Sequence, residues 1–242
     1  MLKKVVKYVL RKVGLDIRKY TPDPIVPLAT LFSIYKVDTI FDIGANIGTS
    51  VQGFRAIGFY NKIVSFEPIK YLFSQIELKA AKDPNWIIEN FALGDTNTEI
   101  YINVSGGHAG ASSILEMTDN VKQNAPDQEV VRQEKIEVKT LDSIIDKYYP
   151  HGNNLFLKID VQGYEKKVLE GGKHSLSRVV GLKIEMSLIK NYEEETLWIE
   201  MYQFLYDLGF RLILIENGWY NSLTHELYQI DGIFFRTNRI IS

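Results

Sequence analysis

The pattern of apolar runs predicts an α/β protein built on a doubly wound, mainly parallel sheet. Two observations carry that expectation. From residue 28 onward, short apolar runs bounded by Gly, Pro, Asn and Asp alternate with segments of helical period. The first run, Phe41-Asp42-Ile43, passes into Gly44-Ala45-Asn46-Ile47-Gly48, and the second, Ile63-Val64-Ser65-Phe66, closes on Glu67. Asp42 and Glu67 stand 25 positions apart. That is close to one β-α-β unit, the spacing at which a nucleoside site sets a carboxylate against ribose hydroxyls.

The elements follow in order. Residues 28–36 read as a helix, 39–43 as the opening strand and 47–57 as a helix stopped by Gly58 in a left-handed C-terminal position. Strand 62–66, helix 69–81 and the break at Asp83-Pro84 come next, then a third strand over 86–93. Residues 99–104 alternate at period two, as does 135–140. The Gly-, Ser-, Asn- and Asp-rich stretch between them predicts a long functional loop or lid. Residues 141–149 read as a short helix and 155–159 as a compact apolar strand closing on Asp160-Val161-Gln162-Gly163. Helix 164–170, strand 179–184, helix 194–208 and two closing strands at 211–215 and 232–236 complete the reading. In such a sheet ligands bind beyond the carboxyl ends of the strands. Asp42, Glu67, Asp95, Asp160 and Glu185 all fall at or just past those ends.

The glycine loop argues against a dinucleotide. A G-x-G-x-x-G turn places a glycine where pyrophosphate meets the backbone, and here that place holds Asn46. Asp42, ahead of the loop, repels phosphate and favours a cation. An acid before the loop and another after the second strand suit a ligand with both a ribose and a positive charge. S-adenosylmethionine has both, and Asp42 is a candidate to hold its ammonium group directly or through water.

Composition is that of a globular protein, with 242 residues, 45% hydrophobic and 24% charged. Without cysteine there is no disulfide, thiolate zinc site or cysteine nucleophile. No apolar run approaches the roughly 20 residues that span a bilayer, and lysines interrupt the apolar residues at the N-terminus, so a cytoplasmic protein is expected. Residues 1–20 carry seven cations against Asp16 alone, a balance of +6 that leaves −8 for the rest of a chain of net charge −2. Leu2, Val5, Val6, Val9 and Val13 share one helical face. Such a basic amphipathic helix either caps the domain or lies against the inner face of an anionic membrane. The Pro-rich residues 21–27 then form a stiff connector to a domain over 28–242.

The ordered motifs F-D-I-G-A-N-I-G, S-F-E-P, A-L-G-D, S-S-I, K-T-L-D-S-I-I, L-K-I-D-V-Q-G-Y-E and K-I-E-M-S resemble the FkbM family of S-adenosylmethionine-dependent methyltransferases. The resemblance spans roughly residues 39–236. It implies a class I methyltransferase fold, a Rossmann-like sheet of seven strands with an antiparallel last strand. It also implies mainly O-methylation, often of sugar hydroxyls in glycans, glycolipids or natural products. Gln162 departs from the family, since many members carry Glu in the D-V-E-G motif; any role for that Glu as a base is absent here.

Carried over by position, the loop from Gly44 through Asn46 to Gly48 packs against the methionine part of the cofactor. Glu67 binds the ribose, and the turn from Ala92 to Asp95 borders the adenine. Asp160 falls beside the reactive methyl group, where a carboxylate orients the acceptor hydroxyl, binds the cofactor ammonium or accepts a proton. Its structural alternative is an N-cap on helix 164–170. Glu185 is a second candidate, with a structural salt bridge as its alternative, and His108 in the Gly-rich segment is a third. Trp219 and Tyr220 are candidates to stack on a sugar ring, although aromatic residues more often serve the core. The histidines show no metal-ligand spacing, so no metal ligands are assigned. Magnesium needs only oxygens and waters, which leaves a divalent ion open. The acceptor is expected to be a sugar-containing or other small hydroxyl compound, with no nucleic-acid partner. Two other readings stand beside this one. One is a nicotinamide-dependent oxidoreductase or epimerase, disfavoured by Asn46 and by the lack of a suitably placed Tyr-x-x-x-Lys pair. The other is a catalytically silent membrane-surface module on the same fold.

Overall fold

The computed structural model describes residues 27–239. The expected helix over residues 1–20 and all but the last residue of the connector lie outside them. Helix α1 (Leu28–Ile34) leads into β1 (Thr39–Ile43), α2 (Thr49–Ala56), β2 (Lys62–Phe66), α3 (Lys70–Ala80) and β3 (Trp86–Glu89). Strands β4 (Ala92–Gly94) and β5 (Thr98–Ser105), helix α4 (Asp119–Asn124) and β6 (Val130–Thr140) follow. Then come α5 (Leu141–Tyr148), β7 (Leu155–Ile159), α6 (Glu165–Glu170), β8 (Val179–Ser187), α7 (Trp198–Asp207), β9 (Arg211–Asn217) and β10 (Gln229–Phe235).

Seven strands form the main sheet in the order β3-β2-β1-β7-β8-β10-β9. The first five are mutually parallel, and β10 runs antiparallel to both β8 and β9. This is the seven-stranded class I methyltransferase architecture with its antiparallel last strand. The central strands β1 and β7 are buried along their whole length, which is why they read as apolar runs rather than as alternating patterns. One face packs on α1 and α2: Phe32 meets Phe156 edge-on at 4.8 Å, and Tyr35 stacks on Phe235 at 4.2 Å. The other face buries Phe41, Phe66, Leu157 and Ile184 with Leu141, Ile145 and Tyr148 of α5 and Val168 and Leu169 of α6. Helix α5 presents those residues at i, i+4 and i+7, and Thr140 Oγ1 caps it by accepting from Ser143 N.

Three sequence expectations change. The third strand, expected over 86–93, is two strands in two sheets. Asn90 turns the chain between them by donating from Nδ2 to the carbonyls of Glu67 and Pro68, and β4 joins a separate sheet of order β4-β6-β5. The long lid is largely built structure. Ser113 bridges Asn103, Met117 bridges Tyr192, and α4 follows before β6, which is itself longer than expected. Strand β8 runs to Ser187, so Glu185 lies within it rather than at its end.

Candidate active site

The loop after β1 takes a left-handed backbone at three alternate positions, Gly44 (φ 76°), Asn46 (φ 49°) and Gly48 (φ 80°). Asparagine is among the non-glycine residues that best tolerate that region, so Asn46 preserves the turn while changing its chemistry. At Gly44 there is no room for a side chain: a Cβ would lie 1.9 Å from the Asp160 carbonyl oxygen. The loop therefore rests directly on the end of β7. Gly48 sits at the N-terminus of α2 and packs on Trp86, supporting the loop from behind.

A cleft opens over this loop. Gly44, Asn46 and Glu67 line one side, Asp160 and Gln162 another, and Ile69, Leu72, Ala92, Leu93, Ile102 and Ile114 give it an apolar wall. The small sheet supplies part of that wall, because Ile102, Val104, Ile136 and Val138 pack onto Ile69 and Leu72. Glu67 is only 3% exposed. Its Oε2 accepts from Asn46 N at 2.8 Å and its Oε1 from Ile69 N at 2.9 Å. Burial pushes its carboxyl up to about 7; the two backbone donors and Lys158 pull the other way. Each oxygen keeps a lone pair for a ligand hydroxyl.

Asp42 departs from the direct role expected for it. It is fully buried and forms no part of the cleft wall. Its Oδ2 accepts from Ser65 Oγ at 2.9 Å, itself held by Trp86 Nε1, and its Oδ1 lies 3.5 Å from Lys158 Nζ. Lys158 Nζ also donates to Gly44 O at 2.8 Å and lies 3.5 Å from Asp160 Oδ2. Burial works against the charge on Lys158, but Asp160 and Asp42 outweigh it and leave its pKa raised. This lysine, which no sequence motif singles out, pins loop, β1 and β7 together. A lone lysine inside the apolar run Leu155–Ile159 was the available signal.

Asp160 is positioned as expected, at the end of β7 and in the wall of the cleft, with its side chain 37% exposed. It does not cap α6. Tyr164 occupies that position without a side-chain cap, and Glu165 Oε1 instead accepts from Val161 N and Gly163 N, closing the turn. Asp160 Oδ1 accepts from Gln162 Nε2 at 2.9 Å. The same amide donates to Glu185 Oε2 at 2.8 Å, which also accepts from Gln229 Nε2 at 2.9 Å. Glu185 is thus tied by amides rather than by the salt bridge considered for it. Burial, with Asp160 and Glu165 nearby, holds its carboxyl well above the usual range. Tyr192 Oη donates to Gln162 Oε1 at 2.7 Å, which fixes the amide with its NH₂ toward both carboxyl groups.

The turn expected to border the adenine divides. Ala92 lines the cleft, whereas Asp95 faces away and accepts from Lys167 Nζ at 2.9 Å, which lowers its carboxyl pKa. His108 lies in the short 3₁₀ turn Gly107–Ala109 beside cleft residues Ala109 and Gly110; its side chain is outside the described part of the structure. Tyr220 is exposed and stacks near His225, while Trp219 lines a neighbouring cleft. Among the described residues, no group of three or more His, Asp and Glu side chains is placed to hold a metal ion.

The donor set of the cleft suits S-adenosylmethionine: a buried carboxylate at the end of β2 with lone pairs left for hydroxyls, an apolar wall, and a close-packed backbone loop beside Asp160. The Methyltransferase FkbM domain matches residues 42–212. No curated protein matches the sequence. Distant structural likenesses include TrmK of M. capricolum bound to S-adenosyl-homocysteine (8% identity, 86% of this chain, 68% of that one, TM-score 0.46). A SAM-dependent methyltransferase from Aquifex aeolicus (9%, 97% and 98%, 0.40) and the ribosomal protein L11 methylase of Lactobacillus delbrueckii subsp. bulgaricus (10%, 86% and 75%, 0.45) are similarly remote. With a domain match that runs from the acid ahead of the glycine loop into β9, the chain belongs to the FkbM family of methyltransferases.

Proposed function

We propose that the protein is an S-adenosylmethionine-dependent O-methyltransferase whose acceptor is a sugar hydroxyl in a glycan, glycolipid or natural product. The observation that carries the reading is the meeting of Glu67 and Asp160 in one cleft around the Gly44 loop. When bound, the cofactor supplies an electrophilic methyl group on a sulfonium. Glu67 takes the ribose hydroxyls, and Gly44 and Asn46 bring backbone against the cofactor. Asp42 contributes through Lys158 rather than by touching the ligand.

Asp160 is the exposed carboxylate at the centre of this arrangement. Lys158 draws on one of its oxygens and Gln162 donates to the other, so the group is held rigidly while part of it faces the cleft. There it orients an acceptor hydroxyl and takes its proton as the new C–O bond forms; holding the oxygen in line supplies much of the rate. Glu185, tied behind Gln162, supports Asp160 in this role. The apolar wall excludes water that would compete as an acceptor.

The test is transfer of labelled methyl from S-adenosylmethionine to fractionated glycans and glycolipids, read by mass spectrometry, with wild type beside Asp160→Asn. The variant keeps shape and removes charge. Its turnover is expected to fall on the order of a hundred-fold with the fold intact. A fall in cofactor affinity as well points to Asp160 holding the cofactor ammonium. Near-normal turnover removes it from the chemistry and leaves Glu185 and His108 as candidates.

A further inference from the structure

A second cleft adjoins the first, and Gly110 and Gln162 belong to the walls of both. Five residues with side-chain amides line it, Asn124, Gln128, Gln162, Asn191 and Gln229, each also hydrogen-bonded within the protein. Tyr192 and Trp219 add aromatic surface, with Trp219 braced edge-on by Tyr228 at 4.9 Å. The only charged residue in its described lining is Asp127. Behind the amides stand two more carboxyl groups, Asp160 and Glu185, both hydrogen-bonded to Gln162. Lys158 is committed to Asp42, Asp160 and the Gly44 carbonyl and lines neither cleft.

We infer that this second cleft holds the acceptor as an uncharged, hydroxyl-rich ring and discriminates against acceptors carrying a carboxylate or phosphate on the ring that is methylated. The inference rests on the methyltransferase reading above and adds a site and a selectivity to it. A sugar hydroxyl both donates and accepts, and an amide offers both partners without charge. A lining of amides therefore matches a neutral ring on several sides, while an aromatic face covers its C–H surface. An anion entering the same space meets Asp127 and finds no cation in the described lining to replace its hydration, which penalises the wrong partner. Gln162 joins the two clefts. Tyr192 fixes its orientation, and its NH₂ reaches the carboxylate assigned to the acceptor hydroxyl, so a ring seated among the amides lies next to Asp160.

The experiment is a binding titration on the full chain saturated with S-adenosyl-homocysteine, read by tryptophan fluorescence, with Trp219→Phe as the control that removes the signal. The probes are neutral methyl glycosides of gluco, galacto, manno and 6-deoxy configuration beside the matching glucuronide, galacturonide and 6-phosphates. At least one neutral glycoside is expected to bind at least about tenfold more tightly than its anionic counterpart. Replacing Asp127 with lysine is expected to narrow that gap by restoring a cation. Equal or tighter binding of the anions, or no response from any probe, overturns the inference. Saturation with S-adenosyl-homocysteine is established first by calorimetry. Its failure counts against the methyltransferase reading, whereas a saturated protein that ignores neutral glycosides counts only against the second cleft.

Discussion

At the residue scale the site rests on carboxylates whose settings differ sharply. Glu67 is almost fully enclosed, is met by two backbone donors and has its pKa pushed up to about 7 by burial. Removing it in Glu67→Ala takes the acceptor from two ribose hydroxyls, and hydrogen bonds to a charged group contribute about 1.5–3 kcal/mol. Cofactor affinity should fall roughly ten- to a hundred-fold, measured as the dissociation constant of S-adenosyl-homocysteine. Because the ionised carboxylate is the better acceptor, wild-type affinity should also rise as pH increases through about 7, and this rise should vanish in the variant. A flat wild-type profile with unchanged affinity in Glu67→Ala would count against the assignment. The place of Glu67 in the cleft was legible in the sequence from its position just past the second strand, 25 residues beyond Asp42. Asp42 and Asp95 were legible as strand-end acids, but their directions were not. Lysines distant in sequence, Lys158 and Lys167, decide those directions.

At the scale of elements, the turn between β7 and α6 is the joint that sets Asp160. Glu165 holds it, receiving the Val161 and Gly163 amides while only 6% exposed, and burial raises its carboxyl to about 7. A raised folded-state value means that the folded protein binds the extra proton. The stabilisation is fully present below the unfolded value near 4.5 and is lost as pH rises through about 7. Glu165→Gln keeps an acceptor oxygen but cannot ionise. Denaturant unfolding of the ligand-free protein should find the two nearly equal at pH 4.5 and the variant ahead above pH 7, by up to about 3 kcal/mol. A constant difference across that range would show that Glu165 does not titrate with folding. The bounds of β1, β2 and β7 followed from apolar runs because those strands are covered on both faces. The split of β3 from β4 did not, since Trp86–Leu93 is nearly as apolar as one strand. What breaks it is Asn90 bonding to a chain segment 22–23 residues away.

At the scale of the whole molecule, the sheet order brings the glycine loop, Glu67, Asp160 and Glu185 to one edge although 143 residues separate Gly44 from Ser187 at the end of β8. Alternation of strand and helix was enough to foresee that edge. It could not foresee the amide network around Gln162, which depends on Tyr192 and Gln229 arriving from separate segments. Among the described residues no helix is long and apolar enough to cross a membrane. We propose that the +6 segment over residues 1–20 makes a peripheral contact with anionic lipid. The intact chain should then sediment with vesicles containing phosphatidylglycerol, less so as salt rises, and a chain truncated to begin at Pro22 should not. Equal behaviour of the two would return that segment to a capping role. Asn46 in the Gly44 loop and Glu67 beside it suit the cleft to S-adenosylmethionine rather than to a dinucleotide. Calorimetric titration of the full chain with S-adenosylmethionine and, separately, with NAD tests it most directly. Saturable one-to-one binding of S-adenosylmethionine is expected, with no comparable response to NAD; tight binding of NAD, or no binding of S-adenosylmethionine, would contradict that assignment.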